Sequence, residues 1–335
     1  MSELPNVILP NGAPQAGPIA DLSYRNYDGP LNVRFFRWWI VALAGLRLAV
    51  KKKGFWVISA ISLLPYVFIG LQLYLAGSGM NFLSAATPAG QKYASQFYTA
   101  VTSQGLWLFI VAIMVGSSSI AADNQANALM VYLSKPITKG DYLLGKWMSI
   151  FLAVFAVGFV PAFLLYFYCL LSFQSAGFLK EEPWLILRLI GAAAVPGILH
   201  ASLLVGVSAW SKTARVAGAI YAGLYFISFA LAMIVWGISF RGDITQGVLV
   251  RNLALGSSIQ GVQQTIYSVD IRQPGFRQAR SGRRVNTETQ QRTMEPSIEI
   301  PVPDAVPMIG IVLVYSVVGV MAARSRIRAV EVVKG

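Results

Sequence analysis

The sequence predicts an all-α integral membrane protein with six transmembrane helices and an N-terminal interfacial helix. Three observations lead to this fold class. The 335 residues are 56% hydrophobic and 12% charged, about half the charged fraction of a soluble domain. The mean hydropathy is +0.59. Six stretches each hold the roughly 20 apolar residues with which a helix crosses a bilayer, and none contains Asp or Glu. This composition excludes an ordinary soluble enzyme and a disordered chain.

The six apolar stretches can be placed directly on the sequence. The predicted spans are Phe55–Ala76, Gly105–Ala122, Trp147–Phe173, Trp184–Trp210, Val216–Phe240 and Ala305–Ala323. Prolines fall inside the first, third and fourth spans, where neighbouring helices satisfy the carbonyls that a proline frees. In the fifth span, Gly218 and Ala222, and likewise Ala219 and Gly223, lie four apart. This spacing permits close packing against span four or across a dimer.

The distribution of Lys and Arg predicts a protein of the plasma membrane with both termini in the cytoplasm. Segments on the side of the N-terminus hold 16 Lys and Arg, whereas the short loops 77–104 and 174–183 hold one each. Cytoplasmic loops carry such an excess of positive charge. The loop 241–304 holds eight Arg, but its 64 residues are long enough to cross the membrane regardless of charge. Whether these Arg are solvated or meet an anionic partner stays open.

Both ends of the chain differ in composition from the six-helix domain, residues 34–323. Residues 1–33 are polar and rich in Pro, Gly and Asn, which indicates a flexible cytoplasmic tail. In residues 34–54, a short apolar run is flanked by Arg and Lys. This pattern is typical of a helix along an anionic membrane surface, although a simple positive-inside anchor is the alternative. Residues 324–335 form a short basic C-terminus on the cytoplasmic side.

The external loop 241–304 has two unlike halves. In residues 244–269, apolar residues recur at roughly helical spacing, which predicts short surface or re-entrant helices. Residues 272–303 are polar, with Arg, Gly and Pro, and predict a flexible loop.

The cytoplasmic loop between spans two and three, residues 123–146, predicts two short helices around a turn at Lys135-Pro136. Asp123 and Asn124 are expected to cap the first helix. Gly140–Lys146 has the spacing of a phosphate-binding P-loop. However, position 147 is Trp where a magnesium ligand is needed, no strand precedes the stretch, and its middle residues are bulky. We therefore do not interpret it as a nucleotide site.

Three segments of the sequence carry a family pattern. They are GLRLAVKKKGFW (45–56) before the first span, LSKPITKGDYLLGK (133–146) before the third, and RIRAVEVVKG (326–335) at the end. In this order they resemble the permease subunits of type-2 ATP-binding-cassette (ABC) exporters. The chain departs from that family upstream of Leu133. The family often has a charged residue followed by two others and Gly-Thr-Leu, whereas Gln125, Asn127 and Ala128 precede Leu129 here.

The resemblance implies a six-helix permease domain that pairs with a second copy or a related permease. It also implies a separate cytoplasmic P-loop ATPase subunit that binds the ATP, so that this chain itself is not an enzyme and holds no cofactor. Loop 123–146 would couple the two proteins. Eight residues match the motif and would contact the ATPase: Leu133, Ser134, Pro136, Ile137, Tyr142, Leu144, Gly145 and Lys146.

The residues alone support the same division of labour. The chain has no Walker A motif, and no span holds the carboxylate that ion-coupled carriers usually place near the midplane. If this protein transports a substrate uphill, the energy must therefore come from another subunit. The lone Cys169 and His200 exclude a disulfide within the chain and a Cys/His metal cluster. The net charge of +13 is no nucleic-acid signal in so apolar a chain. A secondary transporter and a non-transporting scaffold or enzyme subunit are the alternatives.

Two ionisable side chains lie inside the fourth predicted span. Arg188 is about one turn from its outer end, so it either snorkels to the headgroups or lines a pathway. His200 lies near the middle. It either bonds a neighbouring helix as a neutral side chain or faces a transport pathway on the dimer axis.

Overall fold

The computed structural model describes residues 36–77, 92–126, 128, 138–173, 177–239, 244–274, 297–300 and 302–327. In chain order the helices are α1 (Arg37–Val50), α2 (Lys53–Ser62), α3 (Leu64–Gly77), α4 (Lys92–Gly116), α5 (Ala121–Gln125), α6 (Lys139–Ser172), α7 (Phe178–Glu181), α8 (Leu185–Trp210), α9 (Ala214–Ser239), α10 (Ile244–Arg251), α11 (Leu255–Tyr267) and α12 (Ala305–Arg326). Strands β1 (Ile271–Pro274) and β2 (Ser297–Ile300) pair in antiparallel fashion. The predicted tail of residues 1–33 and residues 328–335 lie outside the described part.

Six helical segments of the described chain are long and apolar enough to cross a membrane, so the predicted fold class is confirmed. They are Lys53–Leu75, Tyr93–Gln125, Lys139–Ser172, Leu185–Trp210, Ala214–Ile238 and Ala305–Arg326. Six spans return the chain to the side on which the first began. That side, with α1 and the end of α12, is called the α1 end below, and the side with β1 and β2 is called the hairpin end.

The second span begins about three turns earlier than its apolar run predicts. Its first part is polar in sequence, but these polar groups find hydrogen-bond partners within the helix or on α6. Thr99 and Thr102 donate to the carbonyls of Ser95 and Tyr98, one turn back. Gln104 is 1% exposed and donates to the Val157 carbonyl at 2.9 Å. Polar side chains with such partners do not end a transmembrane helix.

The third span begins at Lys139, eight residues before the predicted Trp147. At 1.5 Å per residue, the 34 residues of α6 extend about 51 Å, well beyond a hydrocarbon core of about 30 Å. The second short helix predicted for loop 123–146 is therefore the start of α6. Gly140–Lys146 lies within this helix, so the stretch with P-loop spacing does not form a phosphate-binding loop.

The capping prediction for Asp123 and Asn124 is wrong. Both residues lie inside α5, whose N-cap is Ile120. A turn over residues 117–120 separates α5 from α4, and α5 forms the last part of the second span. The side chain of Asp123 is thereby free to contact other helices, as described below. Residues 127 and 129–137 lie outside the described part of the chain.

The helix predicted in residues 34–54 is present as α1, which lies along the first part of α6. Two glycines allow this close approach. A Cβ atom at Gly145 would lie 2.6 Å from the Trp38 carbonyl oxygen and 2.6 Å from Val41 Cβ. A Cβ atom at Gly45 would lie 2.7 Å from Ser149 Cβ. Neither position accommodates a larger residue without moving α1 away from α6.

Span four, α8, is the most enclosed of the six spans, and its closest glycine contact is with α12. A Cβ atom at Gly206 would lie 2.6 Å from the Gly319 carbonyl oxygen, and one at Gly319 would overlap the Ser202 carbonyl. Gly218 and Gly223 of span five do not make such a contact with span four. Gly218 faces Ile113 of α4, and a Cβ atom at Gly223 would meet nothing within 4 Å.

The hairpin end contains the two helices predicted in residues 244–269, α10 and α11. The segment 272–303, predicted as a flexible loop, is ordered at its two ends. Ile271 pairs with Ile300, and Pro274 pairs with Ser297. The alternation Ser-Ile-Glu-Ile in β2 is typical of a strand, and it was hidden by the polar composition of the longer segment. Residues 275–296 lie outside the described part.

Candidate functional site

The described residues hold three groups of polar side chains that bear on function: one at the α1 end, one at the hairpin end and one around His200. The group at the α1 end starts from the N-terminus of α6. Thr138 is the N-cap, and its hydroxyl accepts from the Asp141 amide at 3.1 Å. The Asp141 carboxylate accepts from the Thr138 amide at 3.2 Å and from the Thr138 hydroxyl at 2.8 Å. This capping box fixes the first residue of α6 and places a negative charge at the positive end of the helix dipole.

One turn further along α6, Tyr142 and Lys146 contact Asp123 of α5. We call these three residues the Asp123 cluster. The Tyr142 hydroxyl donates to Asp123 Oδ2 at 2.6 Å. Lys146 Nζ lies 2.6 Å from the same oxygen, and the side chains of Lys146 and Asp123 are 11% and 15% exposed. Tyr142 is fully buried. A short, shielded ion pair of this kind is stronger than one at an exposed surface. The cluster joins the end of span two to the start of span three, across the intervening loop.

The position of Asp123 depends on a second contact, made by Ser208 of α8. Its hydroxyl accepts from the amides of Ile120 and Ala121 at 3.0 and 2.9 Å and donates to the Ser117 carbonyl at 3.0 Å. One side chain thus satisfies the backbone groups that the turn 117–120 leaves without helical partners. These hydrogen bonds of Ser208 orient α5 so that Asp123 faces α6.

The sequence-predicted coupling residues fall into two sets. Tyr142, Gly145 and Lys146 are buried and face α1 or the Asp123 cluster, whereas Leu144 is 41% exposed. Leu133, Ser134, Pro136 and Ile137 lie outside the described residues. For all eight residues of the motif, contact with an ATPase stays a prediction. Sequence reasoning missed the role of Asp123. The signal was available, because Asp123 is the sole acidic residue between Asp28 and Asp141.

At the hairpin end, Arg188 has a partner outside its span. Arg188 Nη1 donates to Glu182 Oε2 at 2.9 Å, and the two side chains are 30% and 15% exposed. The guanidinium therefore reaches back towards the end of its helix, which agrees with the snorkelling interpretation. Burial raises the pKa of the Glu182 carboxyl, and the neighbouring Arg188 partly opposes this shift.

His200 bonds a neighbouring helix, as one of its two interpretations holds. Its Nδ1 lies 2.6 Å from the Tyr221 hydroxyl of α9, and the residue is 1% exposed. The ring of Phe109 lies nearby, and it stacks on Tyr225 with ring centroids 4.0 Å apart. His200 also lines a cavity of about 290 Å³ between α4, α8, α9 and α11. Among the described residues, no three His, Cys, Asp or Glu side chains come together as a metal site.

Comparison with known families agrees with this architecture. The sequence model of the family described as "ABC-2 family transporter protein" matches residues 39–326, from α1 to the end of α12. No individual curated protein matches the chain significantly. In ABC transporters of this family the permease is the membrane component, and a partner ATPase hydrolyses the ATP. The chain therefore belongs to the ABC-2 transporter family and is a multi-pass permease subunit of an ABC transporter.

Proposed function

We propose that this permease subunit is an exporter driven by a separate ATPase that binds at the α1 end. The positive-inside rule supports an α1 end in the cytoplasm, where ATP is available, and a location in the plasma membrane. The permease acts as a pair, with a second copy or with a related chain, and ATP is bound by the partner ATPase alone. Substrate crosses between the two permease chains.

The observation that carries this proposal is the Asp123 cluster. When a partner subunit displaces a loop, the adjoining transmembrane helices move with it only if both ends of the loop are held firmly against these helices. The loop after α5 is fixed at one end by Asp123 and at the other by Tyr142 and Lys146, through contacts of 2.6 Å. Displacement of the loop is therefore transmitted to spans two and three together rather than absorbed by fraying at either end.

The construction of α6 supports the same role. Its capping box holds the first turn, and Gly145 brings α1 against it. Further along, five aromatic rings four residues apart stack with centroids 5.2 to 5.6 Å from one another. They are Trp147, Phe151, Phe155, Phe159 and Phe163. Such pairs stabilise a helix, and α6 connects the α1 end to the hairpin end as one continuous helix that has Pro161 inside it.

The test compares two carboxylates at opposite ends of the bundle. The permease is co-purified with a candidate P-loop ATPase subunit, and ATP hydrolysis is measured for Asp123→Asn and for the control Glu182→Gln. A hydrogen bond to a charged group is worth about 1.5–3 kcal/mol. We therefore expect Asp123→Asn to lower the permease-dependent stimulation of ATP hydrolysis by about tenfold or more, while the complex still forms.

The control variant removes the same charge without touching loop 123–146, so Glu182→Gln should leave the stimulation unchanged. If Asp123→Asn and Glu182→Gln behave alike, the coupling role of the Asp123 cluster is wrong. If no complex with the ATPase forms for the unmodified permease, the proposed partner is wrong.

A further inference from the structure

The cavity beside His200 is built from four helices near the middle of the spans. Residues 102–108 of α4, 196–200 of α8 and 225–229 of α9 form its walls, and residues 256–263 of α11 close it towards the hairpin end. Gln263 holds α11 in place, because its side-chain amide donates to the Ala192 carbonyl of α8 at 3.0 Å. The volume of about 290 Å³ is close to the lower limit for small-molecule sites.

The chemistry of the lining favours an uncharged ligand. Most of the wall is apolar or aromatic, and the described residues that line it include no charged side chain. Thr102, Ser103 and Gln260 add neutral polar groups. An ion placed here would lose its hydration without gaining a counter-charge. The lining therefore suits an apolar body that carries one or two polar atoms.

His200 presents a hydrogen-bond donor to this space. Tyr221 is fully buried, and the acceptor that the described residues offer its O–H is Nδ1 of His200, at 2.6 Å. If Nδ1 donated instead, the buried Tyr221 O–H would have no acceptor among the described residues, which carries the desolvation penalty of an unpaired donor. Nδ1 is therefore the acceptor of the neutral ring, and the proton is on Nε2. Nε2 has no hydrogen-bond partner within the described part of the chain, and its residue lines the cavity.

One side of the cavity opens away from the bundle. Leu106, Phe226 and Phe229 line it and are 48%, 52% and 48% exposed. In a bilayer, a gap between α4 and α9 that faces lipid at this depth is reached from the hydrocarbon rather than from water. A ligand that partitions into the membrane can therefore enter sideways.

We propose that this cavity binds an uncharged amphiphile, an apolar chain or ring system whose carbonyl, ether or hydroxyl oxygen accepts a hydrogen bond from His200 Nε2. A transported substrate and a membrane lipid share this chemistry, and the experiment below separates them. The assignment does not rest on the coupling role of the Asp123 cluster, because it concerns binding to the permease.

The chain offers a matched pair of glycines for the test. Gly105 lines the cavity, and a Cβ atom there would meet nothing within 4 Å. Gly105→Phe therefore starts from an unobstructed Cβ position, and its ring is expected to occupy the cavity. Gly223 of α9 is equally open but is not among the lining residues, so Gly223→Phe is the control for hydrophobicity and folding.

The permease, in complex with its ATPase, is reconstituted in nanodiscs and labelled with a photoreactive monoacylglycerol of medium chain length. We expect saturable labelling of α4, α9 or α11, located by mass spectrometry. Gly105→Phe should weaken it by about tenfold or more, and Gly223→Phe should not. An alkane of equal length should compete poorly, and His200→Leu should abolish the preference for the glycerol ester over the alkane. A quaternary ammonium of the same length should not compete.

Two further readouts identify the source of the ligand. A transported substrate stimulates ATP hydrolysis and leaves the bilayer in an ATP-dependent manner, whereas a resident lipid copurifies with the permease and is unaffected by ATP. Equal labelling of Gly105→Phe and Gly223→Phe would overturn the proposal, as would equal competition by the alkane and the charged amphiphile. Neither result bears on the coupling proposal, which is measured at Asp123.

Discussion

Among the described residues, a short ion pair lies at each end of the helix bundle, and the two pairs are built differently. At the α1 end, Asp123 of α5 meets Lys146 of α6 at 2.6 Å, with side chains 15% and 11% exposed. At the hairpin end, Glu182 meets Arg188 at 2.9 Å, with side chains 15% and 30% exposed. The first pair joins two different spans across a loop, whereas the second links residues six positions apart at the start of one span.

This difference indicates what each pair can transmit. Because Asp123 and Lys146 belong to different spans, a movement of one span displaces the other through their contact. Glu182 and Arg188 move together with the entry to α8, so their contact fixes the local path of the chain. We therefore expect substitutions at the α1 end to change coupling between subunits, and substitutions at the hairpin end to change local stability alone.

The largest expected effect on stability comes from a substitution at Gly145, where α1 packs against α6. In Gly145→Leu the new side chain would overlap the Trp38 carbonyl and Val41 of α1. Overpacking against backbone costs about 3 kcal/mol, and α1 should separate from α6. We expect a marked fall in the melting temperature of the purified permease. Gly310→Leu is the control, because a Cβ atom at Gly310 would meet nothing within 4 Å. Equal melting temperatures for the two variants would contradict the tight α1–α6 contact.

A smaller effect is expected when the support of Asp123 is removed. Ser208→Ala leaves the Ile120 and Ala121 amides without their acceptor, which costs about 1–3 kcal/mol. Stability and ATPase stimulation should both decrease, although Asp123 itself is unchanged. Ser211→Ala is the control, since the Ser211 hydroxyl, just after the end of α8, donates to the Val207 carbonyl one turn back. If Ser208→Ala lowers stability but leaves the stimulation intact, the turn 117–120 does not position Asp123.

The smallest effect concerns Glu182 and the pH dependence of stability. Burial raises the pKa of this carboxyl in the folded chain. The folded state therefore favours the protonated form, and this contribution to stability is complete below the unfolded pKa of about 4.3. It is lost as the pH rises through the folded pKa. Glu182→Gln should remove this decline from thermal melts recorded between acidic and neutral pH.

Arg188→Gln should change the pH dependence of stability in the opposite direction to Glu182→Gln. Because Arg188 lowers the pKa of Glu182, its removal should raise that pKa further and extend the decline to higher pH. Neither hairpin-end variant should alter ATPase stimulation at neutral pH. A pH dependence that is the same in the unmodified protein and in Glu182→Gln would show that Glu182 is not its source.

The sequence predicts most of the fold because apolar length is a local property. All six spans are recognised from runs of about 20 apolar residues. Two of their bounds are missed, at Lys92 and Lys139, because the polar residues at these ends are satisfied by contacts within the helix or with its neighbours. Thr102 donates to the Tyr98 carbonyl of its own helix, whereas the partner of Gln104, the Val157 carbonyl of α6, is visible only once the helices are packed.

The candidate sites depend more strongly on tertiary structure. The motif in residues 133–146 identifies the region of the α1 end, but the partner of Lys146 follows from the turn 117–120, which rotates Asp123 towards α6. The bond of His200 to a neighbouring helix is predictable in kind, because a buried neutral histidine needs a partner. The cavity is not predictable from the sequence, because its walls come from four segments that are distant along the chain.

The most direct test of the account is a pair of double-mutant cycles, one for each ion pair, with ATPase stimulation as the measured quantity. Asp123→Asn, Lys146→Gln and their combination form the first cycle, and Glu182→Gln, Arg188→Gln and their combination form the second. We expect each α1-end single variant to lose about tenfold in stimulation and the double variant to be no worse than the more impaired single one. All three hairpin-end variants should retain full stimulation. Additive losses at the α1 end, or equal losses at both ends, would contradict these expectations.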